Sequence, residues 1–321
     1  MNTKQQVAEL LEKGGTDYIS GNDIAQSLGL TRAAVWKCIK QLETEGYSIE
    51  SAKRGYRLGA LSDALSEGSI RKYLGSYSEK FSLEVFQSID STNSYLKKRA
   101  AELPDWHTAI SSSQSAGRGR LGRSFESPEG TGVYLSVLLR PQLPAEKAVR
   151  ITTAAAVAAC LAVEHCTDEV PSIKWVNDVF VRGKKTCGIL TEASIDLESG
   201  RLDWAVMGIG FNVYTPEGGF STELKNIAGP ISQKRERDLR SRIAAAFLKA
   251  FYDICTDLLG SSFSAEYKKR SFLIGRHINV IRSGQSRPAE ALDIDEECRL
   301  VVRYEDGSTE ALSSGEVSVR T

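Results

Sequence analysis

Histidine is scarce: His107, His165 and His277 are the only three in 321 residues. None stands near a candidate nucleophile or at metal-ligand spacing, so a histidine-based triad and a zinc site are both without support. The six cysteines, Cys38, Cys160, Cys166, Cys187, Cys255 and Cys298, are scattered and form no ligand-spaced pair. Free, mostly buried thiols in a reducing compartment are the expectation. Net charge is absent, because 41 lysines and arginines balance 41 aspartates and glutamates. A whole-protein basic field is therefore excluded, and any nucleic-acid contact must come from a local patch. Long apolar runs are missing too. The most apolar stretch, Ile151 to Val163, is alanine-rich and too short to span a bilayer. No charged-then-apolar segment with a small-residue cleavage site opens the chain. The expected localisation is cytoplasmic, with no membrane partner.

What is present is a globular composition, 41% apolar and 26% charged, on a chain long enough for two or three domains. Residues 1–62 read as a small unit. Thr3 to Leu11 suits a short helix, and Asn22 or Asp23 caps a second that ends at Gly29. Thr31 caps a third, whose apolar side runs through Val35, Trp36, Ile39 and Leu42 to Gly46. Two short strands around a basic turn follow, within Tyr47 to Leu58. Helix, glycine turn, helix and basic hairpin are the layout of a winged helix-turn-helix. Its third helix would present Thr31, Arg32, Ala33, Ala34 and Lys37 to the major groove, with Lys53, Arg54 and Arg57 on phosphates. A helical protein-interaction domain has the same helix spacing.

Residues 63–272 read as a mixed α/β domain, a sheet covered by helices. Leu61 to Ser69 has a linker's composition. Phe81 to Ile89 suits a strand, Ser91-Thr92-Asn93 precedes a helix over Leu96 to Leu103, and Thr108 to Ser113 is a strand leading to Gln114. Then comes Gly117-Arg118-Gly119-Arg120-Leu121-Gly122-Arg123. Glycine weakens helix and strand alike, and three charges cannot enter a core unpaired. The composition suits a loop that lays backbone N–H groups and guanidinium forks against a polyanion. Strand Val133 to Arg140 follows, so the loop is strung between two strands. Lys147 to Cys166 is a helix. Ile173 to Val181 is a strand in which Asn177-Asp178 is costly unless it faces a site. Arg182-Gly183-Lys184 turns the chain into Lys185 to Ala193, which sends Lys185 and Lys184 to opposite faces. Asp203 to Ile209 is another strand, helix Asp238 to Leu259 covers the sheet, and Ser261 to Ser271 closes the domain. Residues 273–321 carry short strands at Ile278–Ile281, Ala289–Ile294, Leu300–Tyr304 and Glu310–Leu312, with turns at Ser283-Gly284 and Asp306-Gly307. A small β-barrel is expected. The class is α+β.

Four elements taken together, Ser91-Thr92-Asn93, Gln114 with the glycine-arginine loop, Lys174-Trp175-Val176-Asn177-Asp178, and Lys185-x-x-Gly188-Ile-Leu-x-Glu, resemble the biotin–protein ligases. With the N-terminal unit, the whole chain is similar to the bifunctional biotin–protein ligase/biotin operon repressor family. The resemblance implies that biotin and MgATP give biotinyl-5′-AMP, and that the acyl group then passes to a lysine of a biotin carboxyl carrier domain. It implies Lys185, Arg118 and Asp178 as catalytic residues. Biotin would be bound by Ser91, Thr92, Asn93, Gln114, Gly117, Arg118, Arg120, Lys185 and Gly188. The adenylate would be bound by Arg118, Arg120, Arg123, Phe125, Lys174, Asn177 and Asn212. It further implies operator DNA as a partner, a ligand-promoted homodimer, and Mg2+ whose ligands are not legible. The chain departs from the family pattern at Val176, where proline is usual, and at Phe125, where tryptophan is usual. A ligand-sensing regulator without catalysis and a lipoate ligase are the competing readings.

Overall fold

The computed structural model describes residues 3–44, 47–258, 260, 262–282 and 284–319. The helix ends expected at Gly46 and Leu259, the segment start at Ser261 and the turn residue Ser283 lie outside these. Helices α1 (Thr3–Gly14), α2 (Gly21–Leu28) and α3 (Arg32–Thr44) pack with the antiparallel hairpin β1 (Ile49–Ala52) and β2 (Gly55–Leu58). Val7, Leu11, Ile24, Val35, Ile39 and Leu42 form their buried core. Ser20, rather than Asn22 or Asp23, caps α2: its Oγ accepts the Asp23 N–H at 3.0 Å, and those two residues lie inside the first turn. Gly29 ends the helix in the left-handed region at φ 65°, which costs glycine nothing. Thr31 Oγ1 caps α3 by accepting the Ala34 N–H at 3.2 Å. Trp36 is not on the core side of α3; it is 56% exposed.

The supposed linker is a buried strap. Ser62 and Asp63 are buried, and α4 (Glu67–Leu74) begins inside it, capped by Ser66. Asp63 accepts the Arg240 backbone N–H at 3.0 Å and meets its Nε at 3.1 Å; Arg240 Nη1 continues to Ser112 Oγ at 3.0 Å. Glu12 of α1 accepts from Ser66 Oγ at 2.8 Å and Tyr47 Oη at 3.3 Å. Burial pushes the Glu12 carboxyl above its usual pKa, although both hydrogen bonds pull the other way.

The central sheet takes β3 (Ser82–Phe86), then, after α5 (Thr92–Lys98), β4 (His107–Ser111) and β5 (Gly132–Leu139). After α6 (Val149–Cys166) come β6 (Ser172–Lys174), β7 (Asp178–Val181), β8 (Lys184–Asp196) and β9 (Arg201–Asn212). The strand order is β3-β4-β5-β9-β8-β7-β6, and only β3 with β4 is parallel. The expected single strand Ile173 to Val181 is a hairpin, with Lys174 opposite Asp178 and Trp175-Val176-Asn177 forming its tip. Helix α5 starts at Thr92 rather than Leu96, capped by Ser91 Oγ on the Ser94 N–H at 3.3 Å. Strand alternation divides the sheet's two faces. Val133, Leu135, Val137, Met207, Ile209 and Phe211 lie under α6 and α7 (Leu239–Cys255), the cover expected from the sequence. Tyr134, Ser136, Gly208 and Gly210 point the other way. The stretch Ala145–Cys166 is by itself long and apolar enough to cross a membrane, but 78% of its apolar window is buried. The six cysteines are free.

After α8 (Ser262–Arg270) the chain forms β10 (His277–Arg282), β11 (Gln285–Ile294), β12 (Leu300–Tyr304), β13 (Thr309–Leu312) and an unanticipated β14 (Glu316–Val319). The order β13-β12-β11-β10-β14 is an open antiparallel sheet, so the expected barrel is not closed. Its edge strands β13 and β14 do not pair with each other among the described residues. This sheet is joined to the tip of the β6–β7 hairpin by Trp175, whose Nε1 donates to Cys298 O at 3.0 Å.

Candidate active site

The glycine-arginine loop leaves β4 and returns to β5, neighbouring strands of the central sheet, as the sequence required. It folds as a short lasso: Gly119 N–H donates to Arg123 O at 2.7 Å and Phe125 N–H to Gly117 O at 2.9 Å. A Cβ at Gly117 would sit 2.7 Å from Ser127 Oγ, so glycine lets the two limbs close. Its arginines line one cavity but take different partners. Arg118 Nη1 lies 3.4 Å from Glu192 Oε1. Arg120 donates to Asn177 Oδ1 at 2.8 Å and to Gly315 O at 2.9 Å. Arg123 forms a two-pronged pair with Glu316, both contacts 2.8 Å. The Arg123 guanidinium holds the Glu316 carboxyl below its usual pKa. The loop is thus strapped to the C-terminal sheet.

Beneath the loop is a cavity of about 360 Å³, within the roughly 300–1,000 Å³ typical of small-ligand sites. Its floor is nearly bare backbone. Gly188 of β8 is paired with Gly210 of β9, and Gly208 lies two residues along. The Phe125 ring covers the Gly188–Gly210 pair; a Cβ at Gly188 would be 3.0 Å from it, and one at Gly210 would overlap it. A Cβ at Gly208 would overlap the Asn93 amide.

One wall is a polar network at the start of α5. Thr92 N–H and Oγ1 donate to Gln114 Oε1 at 2.9 and 3.2 Å, and Gln114 Nε2 donates to Ser127 Oγ at 3.0 Å. Ser136 Oγ lies 2.7 Å from Thr92 Oγ1 and 2.5 Å from Asn93 Oδ1. Asn93 Nδ2 donates to Glu192 Oε2 at 3.1 Å, and Lys97 Nζ reaches Glu192 Oε1 at 2.7 Å. Burial opposes ionisation of Glu192, but these donors and the charges of Lys97 and Arg118 outweigh it and hold its pKa low.

The facing wall is cationic. Lys185 Nζ is 2.6 Å from Asp178 Oδ1. Lys174 is half-buried, and burial pushes its ammonium below the usual lysine value; Lys185 acts in the same direction and Asp178 against it. Lys185 faces the cavity because of a bulge. Val179 pairs with Cys187 while Phe180 pairs with Lys185, so Thr186 is extra and Lys185 shifts to the Gly188 face.

Ser91, Thr92, Asn93, Gln114, Arg118, Arg120, Arg123, Phe125, Lys174, Asn177, Asp178, Lys185, Gly188 and Asn212 all line this one cavity; Gly117 lies just behind it. Thr31, Arg32, Ala33 and Lys37 are exposed at the start and along the outer side of α3, and Lys53 and Arg54 are exposed at the β1–β2 turn; none of them lines the cavity. Arg57 is instead engaged by Glu50 at 2.6 Å. Sequence reasoning missed the floor glycines Gly208 and Gly210, whose signal was glycine at alternate strand positions. It also missed Glu192 and Glu316 as partners of the arginines, and the lining residues Phe220, Leu224 and Ile227.

Comparison with known proteins covers the same three segments. A family described as "Biotin/lipoate A/B protein ligase family" matches residues 85–212, "HTH domain" matches 3–57, and "Biotin protein ligase C terminal domain" matches 273–320. The "Bifunctional ligase/repressor BirA" of Bacillus subtilis is 34% identical over 314 residues, 95% of each chain. That of Escherichia coli is 24% identical over 320 residues, 95% of this chain and 94% of the relative. The solved structure "Biotin protein ligase from Aquifex aeolicus in complex with biotin and ATP" aligns with TM-score 0.63 and 26% identity, covering 74% of this chain and 98% of that one. With a loop, floor and cationic wall gathered at one cavity and a relative 34% identical along 95% of both lengths, this chain belongs to the bifunctional biotin protein ligase/repressor family.

Proposed function

We infer that this protein joins biotin to a carrier-protein lysine at the expense of ATP, and that it represses transcription through its N-terminal helix-turn-helix. The observation that carries the first part is the convergence of Arg118, Arg120, Arg123, Lys174 and Lys185 on one glycine-floored cavity. A carboxylate attacking a phosphate is repelled by like charge, so cations must screen both partners. In the first step a biotin carboxylate oxygen attacks the α-phosphorus and pyrophosphate leaves. Arg118 serves the carboxylate and the adenylate phosphate, Arg120 and Arg123 the phosphates. Lys185 stabilises charge on the carboxylate and the mixed anhydride.

In the second step the carrier lysine amine attacks the acyl carbon, AMP leaves, and the amide forms with loss of a proton. Asp178 orients Lys185 and assists the incoming amine. Ser91, Thr92 and Gln114 hydrogen-bond the ureido ring; Asn93 and Gly117 set the shape of that wall; Gly188 gives the ring close access to backbone. Phe125, Lys174, Asn177 and Asn212 hold the nucleotide. Magnesium enters as part of the MgATP substrate. It asks for only one or two carboxylates besides the phosphates, and Glu126, Asp178 and Glu316 line the cavity.

Residues 1–62, 63–272 and 273–321 act as DNA-binding, catalytic and C-terminal domains, the first a winged helix in which β1 and β2 form the wing. Thr31, Arg32, Ala33 and Lys37 meet the groove, and Lys53 and Arg54 meet phosphates. Adenylate favours a homodimer, whose two recognition helices match a two-fold operator. The protein works in the cytoplasm on a biotin carboxyl carrier domain. Incubation with biotin, ATP and a carrier domain, read by intact mass, tests the enzymatic reading: acceptor heavier by one biotinyl group is expected, and an unchanged acceptor refutes it. Lipoate in place of biotin separates the two ligase chemistries. Operator affinity unchanged by saturating biotin and ATP refutes the coupling to repression.

A further inference from the structure

Trp36 is exposed where the other tryptophans are not. Trp175 is 3% exposed, and Trp106 and Trp204 pack against core clusters, whereas Trp36 is 56% exposed. A helix advances about 100° per residue, which divides α3 into two sides. Val35, Cys38, Ile39 and Leu42 fall on one side and are buried. Arg32, Ala33, Trp36, Lys37 and Lys40 fall on the other and are exposed. The Thr31 cap fixes the start of the helix, so Trp36 lies in its second turn, roughly 6 Å along the axis from Arg32.

The surroundings select the occupant. Arg32 and Lys37 share the exposed side of α3 with the indole, and Lys53 and Arg54 are exposed at the β1–β2 turn, a set of cations that suits a polyanion. An indole offers one N–H donor and a broad apolar face. In the major groove the base edges present a single apolar group, the thymine C5-methyl. We propose that Trp36 reads thymine: its ring packs on a C5-methyl in the major groove and sets a preference for a T·A pair at the position it meets. The inference rests on the DNA-binding reading above and gives that surface a reader of the thymine methyl, an apolar group that lysine and arginine donors do not recognise.

The test uses the full chain with biotin and ATP. Duplexes are enriched from a random-sequence pool, and the best binder is remade with deoxyuridine for thymidine, which deletes only the methyl groups. Affinities of wild type, Trp36→Ala and Lys37→Ala are measured for both duplexes at one salt concentration. Trp36→Ala is expected to weaken the thymidine duplex by about tenfold, the scale of one lost base-pair preference. Uracil is expected to weaken wild type by about fourfold per contacted methyl and to leave Trp36→Ala unchanged. The wild-type uracil arm needs no variant, so a folding defect does not obscure it. If Trp36→Ala binds like wild type while Lys37→Ala is weaker, the Trp36 role is overturned and the DNA reading stands. If wild type binds both duplexes equally, the methyl contact is overturned. A pool that yields no enriched duplex overturns the DNA reading and this proposal with it.

Discussion

Lys185 stands beside Asp178 at 2.6 Å, with Gly188 beneath it and the loop arginines above. A cation aimed at developing charge in a partly water-excluded site is worth about 10²–10³ in rate. Lys185→Ala is therefore expected to slow pyrophosphate release by about 10²–10³, in a stopped-flow assay, while calorimetric biotin affinity falls far less. Equal losses in rate and affinity would make Lys185 a binding residue only. Residue identities at this site were legible because charge and glycine in an apolar context are conspicuous. Their orientation was less so. Alternation alone separates Lys184 from Lys185 but does not say which of them faces the cavity; the extra residue Thr186 decides it, and a bulge has no clear sequence mark. Trp36 misled for a related reason. Its spacing fits the buried side of α3 loosely, and only packing shows it lying among Arg32, Lys37 and Lys40.

Strands β8 and β9 carry the floor as a unit, since Gly188 and Gly210 are paired and Gly208 faces Asn93. Adding one methyl to such a surface forces shifts costing about 1–3 kcal/mol. Gly210→Ala is expected to push Phe125 off the floor and to weaken biotin or adenylate binding by about tenfold, at roughly 1.4 kcal/mol per decade. Calorimetry of that variant beside Gly188→Ala checks it, and wild-type affinity in Gly210→Ala would exclude Phe125 from the site. At this scale the sequence marked most elements and mistook some connections. Ile173 to Val181 read as one strand because its apolar residues run on; the chain turns at Trp175-Val176-Asn177, where Asn177 Nδ2 donates to Ile189 O at 3.0 Å. Strand β14 escaped notice because four residues near a chain end make a weak pattern, yet it brings Glu316 to Arg123.

Across the whole molecule, the strap that follows the N-terminal unit is tied to α7 by buried polar contacts, and α1 is tied to that strap through Glu12 and Ser66. Arg240 and Asp63 are buried together, and removing one partner of such a pair typically costs about 3–5 kcal/mol. Arg240→Met is expected to lower stability by about that much in urea unfolding, and a loss under about 1 kcal/mol would make the strap ornamental. Glu12 gives the same junction a pH dependence. Its folded pKa is raised, so its contribution is complete below the ordinary glutamate value and is lost as pH rises through the raised one. Glu12→Gln is expected to remove that slope in a urea series from acid to neutral pH; an unaltered slope would assign the dependence elsewhere. None of this was legible in Leu61 to Ser69, because serine and aspartate read as solvated until a distant arginine is known to cover them. That distance has a consequence in time. Asp63 and Arg240 are 177 residues apart, and ribosomes add about 5–20 residues per second. The DNA-binding unit holds its own core and can fold as it emerges. For roughly 9–35 seconds of synthesis it then waits, already shaped, for the helix that fastens it to the enzyme.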